Sequence, residues 1–143
     1  MSLLDQAVQV IGEWGADRDA DRKRCAALLE GIQNDMEEAI GLWEKTLAES
    51  PAECDRFMLV VWVGAERAKQ LHRLYLRGKE TAAELTKLTG VAFNDTLGMA
   101  EEIQIVTAYG ELKADESGAD RAKQAIETLT TRKSRIRETG ASL

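Results

Sequence analysis

Between Cys25 and Leu47 an apolar residue recurs every three or four positions: Cys25, Leu28/Leu29, Ile32, Met36, Ala39/Ile40, Trp43 and Leu47. Only an α-helix gathers such a series onto one side, and the spacing stays close to a heptad over three repeats. The pattern predicts a helix from about residue 18 to residue 49, which at 1.5 Å per residue is ~45 Å long. Glu30, Asn34, Glu37, Glu38, Glu44 and Lys45 fall off the stripe and are assigned to solvent. A rod with one apolar side needs other elements to cover that side.

The next four residues, Ser50-Pro51-Ala52-Glu53, close this helix and open another. Ser50 suits the N-cap, Pro51 the first helical position, and Glu53 completes a capping box. So short a connection makes the two helices antiparallel neighbours. The second helix enters an apolar run, Phe57 to Val63. A strand there would not join a helical pattern in phase, whereas Glu66, Lys69/Gln70, Arg73 and Arg77 continue at helical spacing. β-branched residues cost a helix only ~0.5 kcal/mol each. The second helix is therefore assigned to 51–77, with Gly78 as its stop and Val61, Ala65, Ala68, His72 and Tyr75 facing inward.

Shorter elements flank this pair. Leu4, Val8, Ile11 and Trp14 form one stripe of an N-terminal helix that Gly12 and Gly15 end. Thr81-Ala82-Ala83-Glu84 is a further capping box, predicting a short helix that ends at Gly90. Another helix is expected from Asn94 or Asp95 to Gly110 or beyond. Ser117 or Asp120 caps the last one, with Ala122, Ala125/Ile126, Leu129 and Ile136 inside. The fold class expected is all-α: a helical bundle of four main helices plus a short N-terminal one, built on the antiparallel pair 18–49 and 51–77. Its 143 residues fit one domain, 1–143, with 1–16 a loosely docked N-terminal helix.

Composition narrows the function classes. A net charge of −6 disfavours broad attraction to phosphate backbones or anionic lipid. No apolar run reaches the ~20 residues that span a bilayer, and "MSLLDQAVQVIGEW" lacks the basic start of a secretory signal. Two cysteines, Cys25 and Cys54, are too few for a disulfide framework. Reduced thiols on inner helix faces fit a cytoplasmic protein.

Catalytic and metal chemistry find little to work with. Glu37/Glu38 and Glu101/Glu102 offer carboxylates, but the only histidine, His72, is not preceded by Glu at the three-residue spacing of a di-iron bundle. No Cys-x-x-Cys is present for zinc. A triad would need His72 beside a Ser or Cys, and its position between Ala68 and Tyr75 assigns it to the core instead. No enzymatic activity, cofactor or metal is expected.

Residues 81–103, "TAAELTKLTGVAFNDTLGMAEEI", resemble a helix-turn-helix, with Glu84-Leu85, Leu88, Gly90 at the turn, and Met99 and Ile103 at matching offsets. Residues 109–130 resemble the wing of MarR-like winged-helix repressors. The resemblance covers about fifty residues and implies a transcription regulator whose 81–103 unit enters the major groove. Two departures rank it second. No Lys or Arg lies between Leu88 and Leu112, where Asp95, Glu101, Glu102 and Glu111 are present, and phosphates repel such a recognition helix. The supposed wing strand also favours helix.

The leading expectation comes from the polar face of the second helix. Followed backwards from Glu66, it lands on Trp62 and Leu59. Large apolar residues where solvent is expected mark cover by the fold or by a partner. The function expected is a non-enzymatic protein–protein interaction module: a regulator, adaptor, inhibitor or chaperone. It acts through an apolar helix face on another protein or on a second copy as a homodimer, with Leu59 and Trp62 as anchors and Trp14 as a secondary one. A small-molecule sensor bundle ranks third.

Overall fold

The computed structural model describes residues 3–50, 59–93 and 118–143, and among them every regular element is helical. Helix α1 is Leu3–Gly12. A 3-10 turn, Ala16–Arg18, leads into α2, Asp19–Glu49; α3 is Leu59–Thr89 and α4 is Gly118–Ala141. They pack together as an all-α bundle. None of these helices is long and apolar enough to cross a membrane.

Helix α2 is the centre of the bundle. Its buried residues, from Cys25 to Thr46, cover roughly 160° of its circumference at 3.6 residues per turn, wider than a two-helix seam. The width reflects two partners. On one flank Lys133 of α4 pairs with Glu37, and Gly140 lies against Leu29 and Gln33. On the other, α3 meets α2 through Arg24–Glu84, Asp35–Arg77 and Glu49–Arg67. Numbers rise along α2 as they fall along both neighbours, so both run antiparallel to it. The predicted pairing of α2 with the next helix is present, yet the more extensive contact of α2 is with α4. Trp43, Ile32 and Met36 at the middle of the arc are wholly buried, each worth ~1.5–3 kcal/mol by removal from water. The core residues predicted on α2 and α4 are inside, with Leu47 and Ile126 half-buried at the margin.

Helix α1 closes one end of the bundle with Ala7 and Ile11 buried. Its last carbonyls would lack intrahelical donors. The Glu13 and Trp14 N–H groups donate to Val10 and Ile11 in a tightened last turn, and Arg22 Nη2 adds donations to the carbonyls of Ile11 at 3.3 Å and, just past the helix, Trp14 at 3.0 Å. Asp19 and Asp21 in the first turn of α2 suit the positive end of its dipole. At the far end, the Ser50 hydroxyl turns back to donate to the Leu47 carbonyl at 3.3 Å.

Helix α3 departs from expectation in three ways. It does not stop at Gly78, and Thr81 does not open a new helix; the helix runs on to Thr89. Gly78 is buried on the side that carries Leu74, Ala82 and Leu85. Burying those three side chains outweighs the ~1 kcal/mol cost of a helical glycine. Second, Gly64 has φ 77° and ψ 162°, a break within the helix. Third, the inner face is Leu71, Leu74, Ala82 and Leu85, while His72, Ala65 and Val61 are exposed. The predicted face is the outward one on both sides of Gly64; Val63, buried upstream of it, is spaced in step with Leu71, Leu74 and Leu85.

The predicted stop at Gly90 holds. Gly90 takes φ 76°, and its N–H donates to the Thr86 carbonyl at 2.8 Å, a glycine-terminated helix end. The Thr89 hydroxyl donates to Leu85 and accepts from the Val91 N–H. Val91 and Phe93 then turn back into the core. The predicted helix start at Pro51, Cys54, and the helix expected from Asn94 lie outside the described residues.

Candidate functional site

The surface of α3 carries the site candidates. Leu59 opens the helix. Val61 is 63% exposed, the most open large apolar side chain among those described. Trp62 is half-buried, and its carbonyl accepts from Arg67 Nη1 at 3.1 Å. The same guanidinium reaches Thr46 Oγ1 at 3.4 Å and pairs with Glu49. One arginine thus ties the α3 backbone just ahead of Gly64 to the C-terminal end of α2. Its hydrogen bond and charge hold the Glu49 carboxyl below the usual carboxylate range, against a smaller opposing effect of burial.

Trp14 lies at the opposite end of the bundle. It follows α1, half-buried against the core, with the Arg18 guanidinium 3.9 Å from its ring centre. Arg18 also donates to the Leu88 carbonyl at 3.1 Å, so this corner meets the last turn of α3. Arg18 and Thr46 are separated by nearly all of α2, ~42 Å at 1.5 Å per residue. The two tryptophans therefore belong to separate surfaces.

Beyond Gly64 the outward face of α3 shows a second pattern. Ala65, Lys69, His72, Leu76, Lys79, Ala83 and Lys87 are all exposed, spaced three or four residues apart along one side of the rod. Leu76 is 46% exposed. Half-buried Tyr75 packs between His72, with ring centroids 6.1 Å apart, and Lys79, whose Nζ is 5.5 Å from the ring centre. This places His72 in solvent rather than in the core. The signal was present in the sequence, but it emerges only when the inner face is phased on Val63, Leu71 and Leu74 rather than on Val61.

Between α2 and α3 lies a groove of about 510 Å³. Its ends are strapped by the two-bond pair Arg24–Glu84, at 2.6 and 2.9 Å, and by Arg77–Asp35; Gly31 and Thr81 lie between. Arg24, by hydrogen bond and charge, holds the Glu84 carboxyl below the usual range. Each arginine crosses from one helix to the other, which braces the pair.

Three other features lose chemical availability. The basic end of α4 is tied down: Lys133 pairs with Glu37, and Arg135 approaches Asp5 at 3.7 Å. Residues 81–89 of the helix-turn-helix resemblance are the last turns of α3, and 94–103 lie outside the described residues. Cys25 is a fully buried free thiol whose pKa is pushed up first by burial, then by the negative charges of Asp21 and Glu84. Such a thiol is a poor nucleophile. Among the described residues no three His, Cys, Asp or Glu side chains converge as a metal site. The chain matches no protein-family model, no curated protein sequence and no solved structure.

Proposed function

We propose that this protein is a non-enzymatic protein–protein interaction module, a regulator, adaptor, inhibitor or chaperone, with α3 as its working helix. Leu59 and Trp62 anchor the partner at the N-terminal end of that helix. The observation that carries the proposal is Val61, 63% exposed next to half-buried Trp62, immediately before the break at Gly64. An apolar side chain held open beside a large aromatic at a helix end is the composition of an interface centre. The rest of the bundle is braced by ion pairs between its helices, which suits a rigid scaffold presenting one surface.

The test is Trp62→Asp. Light scattering follows the mass of wild type and variant across a concentration series, and affinity capture from the source organism follows bound proteins. Wild type is expected to self-associate or to retain a specific protein, and the variant to lose that association while keeping its helicity. Unchanged mass and unchanged capture would remove the surface from consideration.

A further inference from the structure

We infer that the solvent face of α3 from Ala65 to Lys87 is a docking surface for an acidic amphipathic helix of a partner protein. The inference rests on α3 being the working helix and names the chemistry that helix recognises.

Charge separation is the first observation. The chain as a whole carries −6, yet Lys69, His72, Lys79 and Lys87 line one exposed strip of α3, bordered by Arg73, Glu66 and Glu80. Among the described residues no ion pair joins Lys69, Arg73 or Lys79 to an acid. The basic side chains that join the helices, Arg24, Arg67, Arg77 and Lys133, are by contrast each matched to a carboxylate. A strip of cations without carboxylate partners, on a chain whose net charge is −6, complements an anionic partner.

Shape selects a helix. The strip is straight, ~33 Å long from residue 65 to 87 at 1.5 Å per residue, and its members recur every three or four residues. Small side chains, Ala65 and Ala83, stand near its ends, and Leu76, 46% exposed, stands at its middle. An incoming helix with acidic residues at the same period and an apolar residue over Leu76 meets both features. Tyr75, packed between His72 and Lys79, holds Lys79 and its neighbour His72 in place beforehand.

Other occupants fit less well. The outward face of α2 in a second copy is acidic only in part, since Glu37 and Glu38 already pair with Lys133 and Arg77 while Lys23 and Lys45 share that face. A second copy of the α3 strip repels the first. For nucleic acid, exposed Leu76 at the middle of the strip gains nothing from a phosphate backbone.

The probe is a synthetic helical peptide of about 22 residues, long enough for the strip, with Glu along one face and Leu between. Its Glu→Gln counterpart, random-sequence duplex DNA, and vesicles of phosphatidylserine and phosphatidylcholine serve as the other arms. The acidic peptide is expected to bind wild type with an affinity that falls as salt rises, and to bind Lys69→Glu/Lys79→Glu about tenfold more weakly or worse. Leu76→Ser weakens it too, whereas Lys23→Glu/Lys45→Glu on α2 leaves it unchanged. Circular dichroism confirms that each variant keeps its helices; should the double reversal unfold, Lys69→Gln/Lys79→Gln replaces it. Equal binding of the Gln peptide, indifference to the double reversal, or tighter binding of DNA or vesicles than of the peptide would each overturn the inference. Trp62→Asp lies on the other side of Gly64 and leaves the strip intact. A failure of that variant to act strikes the proposed anchors and not the strip.

Discussion

Gly64→Ala separates two accounts of α3. In one, packing imposes the break at Gly64 and so fixes how Val61 and Trp62 are presented. In the other, the break merely follows from glycine being there. At φ 77° and ψ 162° an L-residue is strained, at ~1–3 kcal/mol. A Cβ at this position meets nothing within 4 Å, so no clash adds to that cost. Against it stands ~0.4–1 kcal/mol from the smaller entropy of the unfolded chain. The net expectation is a loss of ~1–2 kcal/mol, which lowers Tm by roughly 3–6 °C for a chain of this size. Gly41→Ala in α2 is the control. Its Cβ also meets nothing within 4 Å, but it sits inside an unbroken helix, so the same change is expected to raise stability by ~0.5–1 kcal/mol. Thermal unfolding followed by far-UV circular dichroism reads both, and tryptophan fluorescence reports on Trp62. A Tm for Gly64→Ala that is unchanged or raised would refute the reasoning. Straightening the helix would then be favourable, and packing would not require the break.

Two further outcomes follow from the ion pairs and the thiol. Glu49 and Glu84 have folded-state pKa values below the ordinary 4.5 because Arg67 and Arg24 bond them. Depressed carboxyl pKa values give stability that is present above pH 4.5 and lost as pH falls through the folded values. Arg24→Gln/Arg67→Gln should therefore flatten the acid limb of a stability–pH curve; an unaltered limb would show that these exposed pairs contribute nothing. Cys25, buried with a raised pKa, should react with an aromatic disulfide reagent in a Cys54→Ser background ~10³-fold or more slower than in urea, because reaction waits on opening of the core. Labelling of the native protein at the free-thiol rate would place Cys25 outside that core.

How legible the site was depended on the phase assigned to α3. The apolar residues at the start of α3 stood out in the sequence because they interrupted a polar face. Val61, assigned inward, is 63% exposed, and Trp62, assigned outward, is half-buried. The cationic strip went unseen. Phasing the inner face on Val61 rather than on buried Val63 and Leu71 assigns His72 to the core, and a stop at Gly78 divides Lys69, Lys79 and Lys87 between two helices.

Local pattern alone was enough for α2, the inner side of α4 and the stop at Gly90. In each, a single periodic run or one glycine states the outcome, and burial agrees with propensity. The continuity of α3 was decided by the tertiary structure. Gly78 and the capping box at Thr81 are sound local signals to stop and restart. They were overridden because Leu74, Ala82 and Leu85 bury together only if the helix does not stop. The choice of α4 as the larger partner of α2 is likewise tertiary, since an apolar arc states how much surface must be covered and not which helix covers it. Side-chain chemistry writes the period of a helix. Which of several affordable backbone costs is accepted depends on the neighbours that surround it.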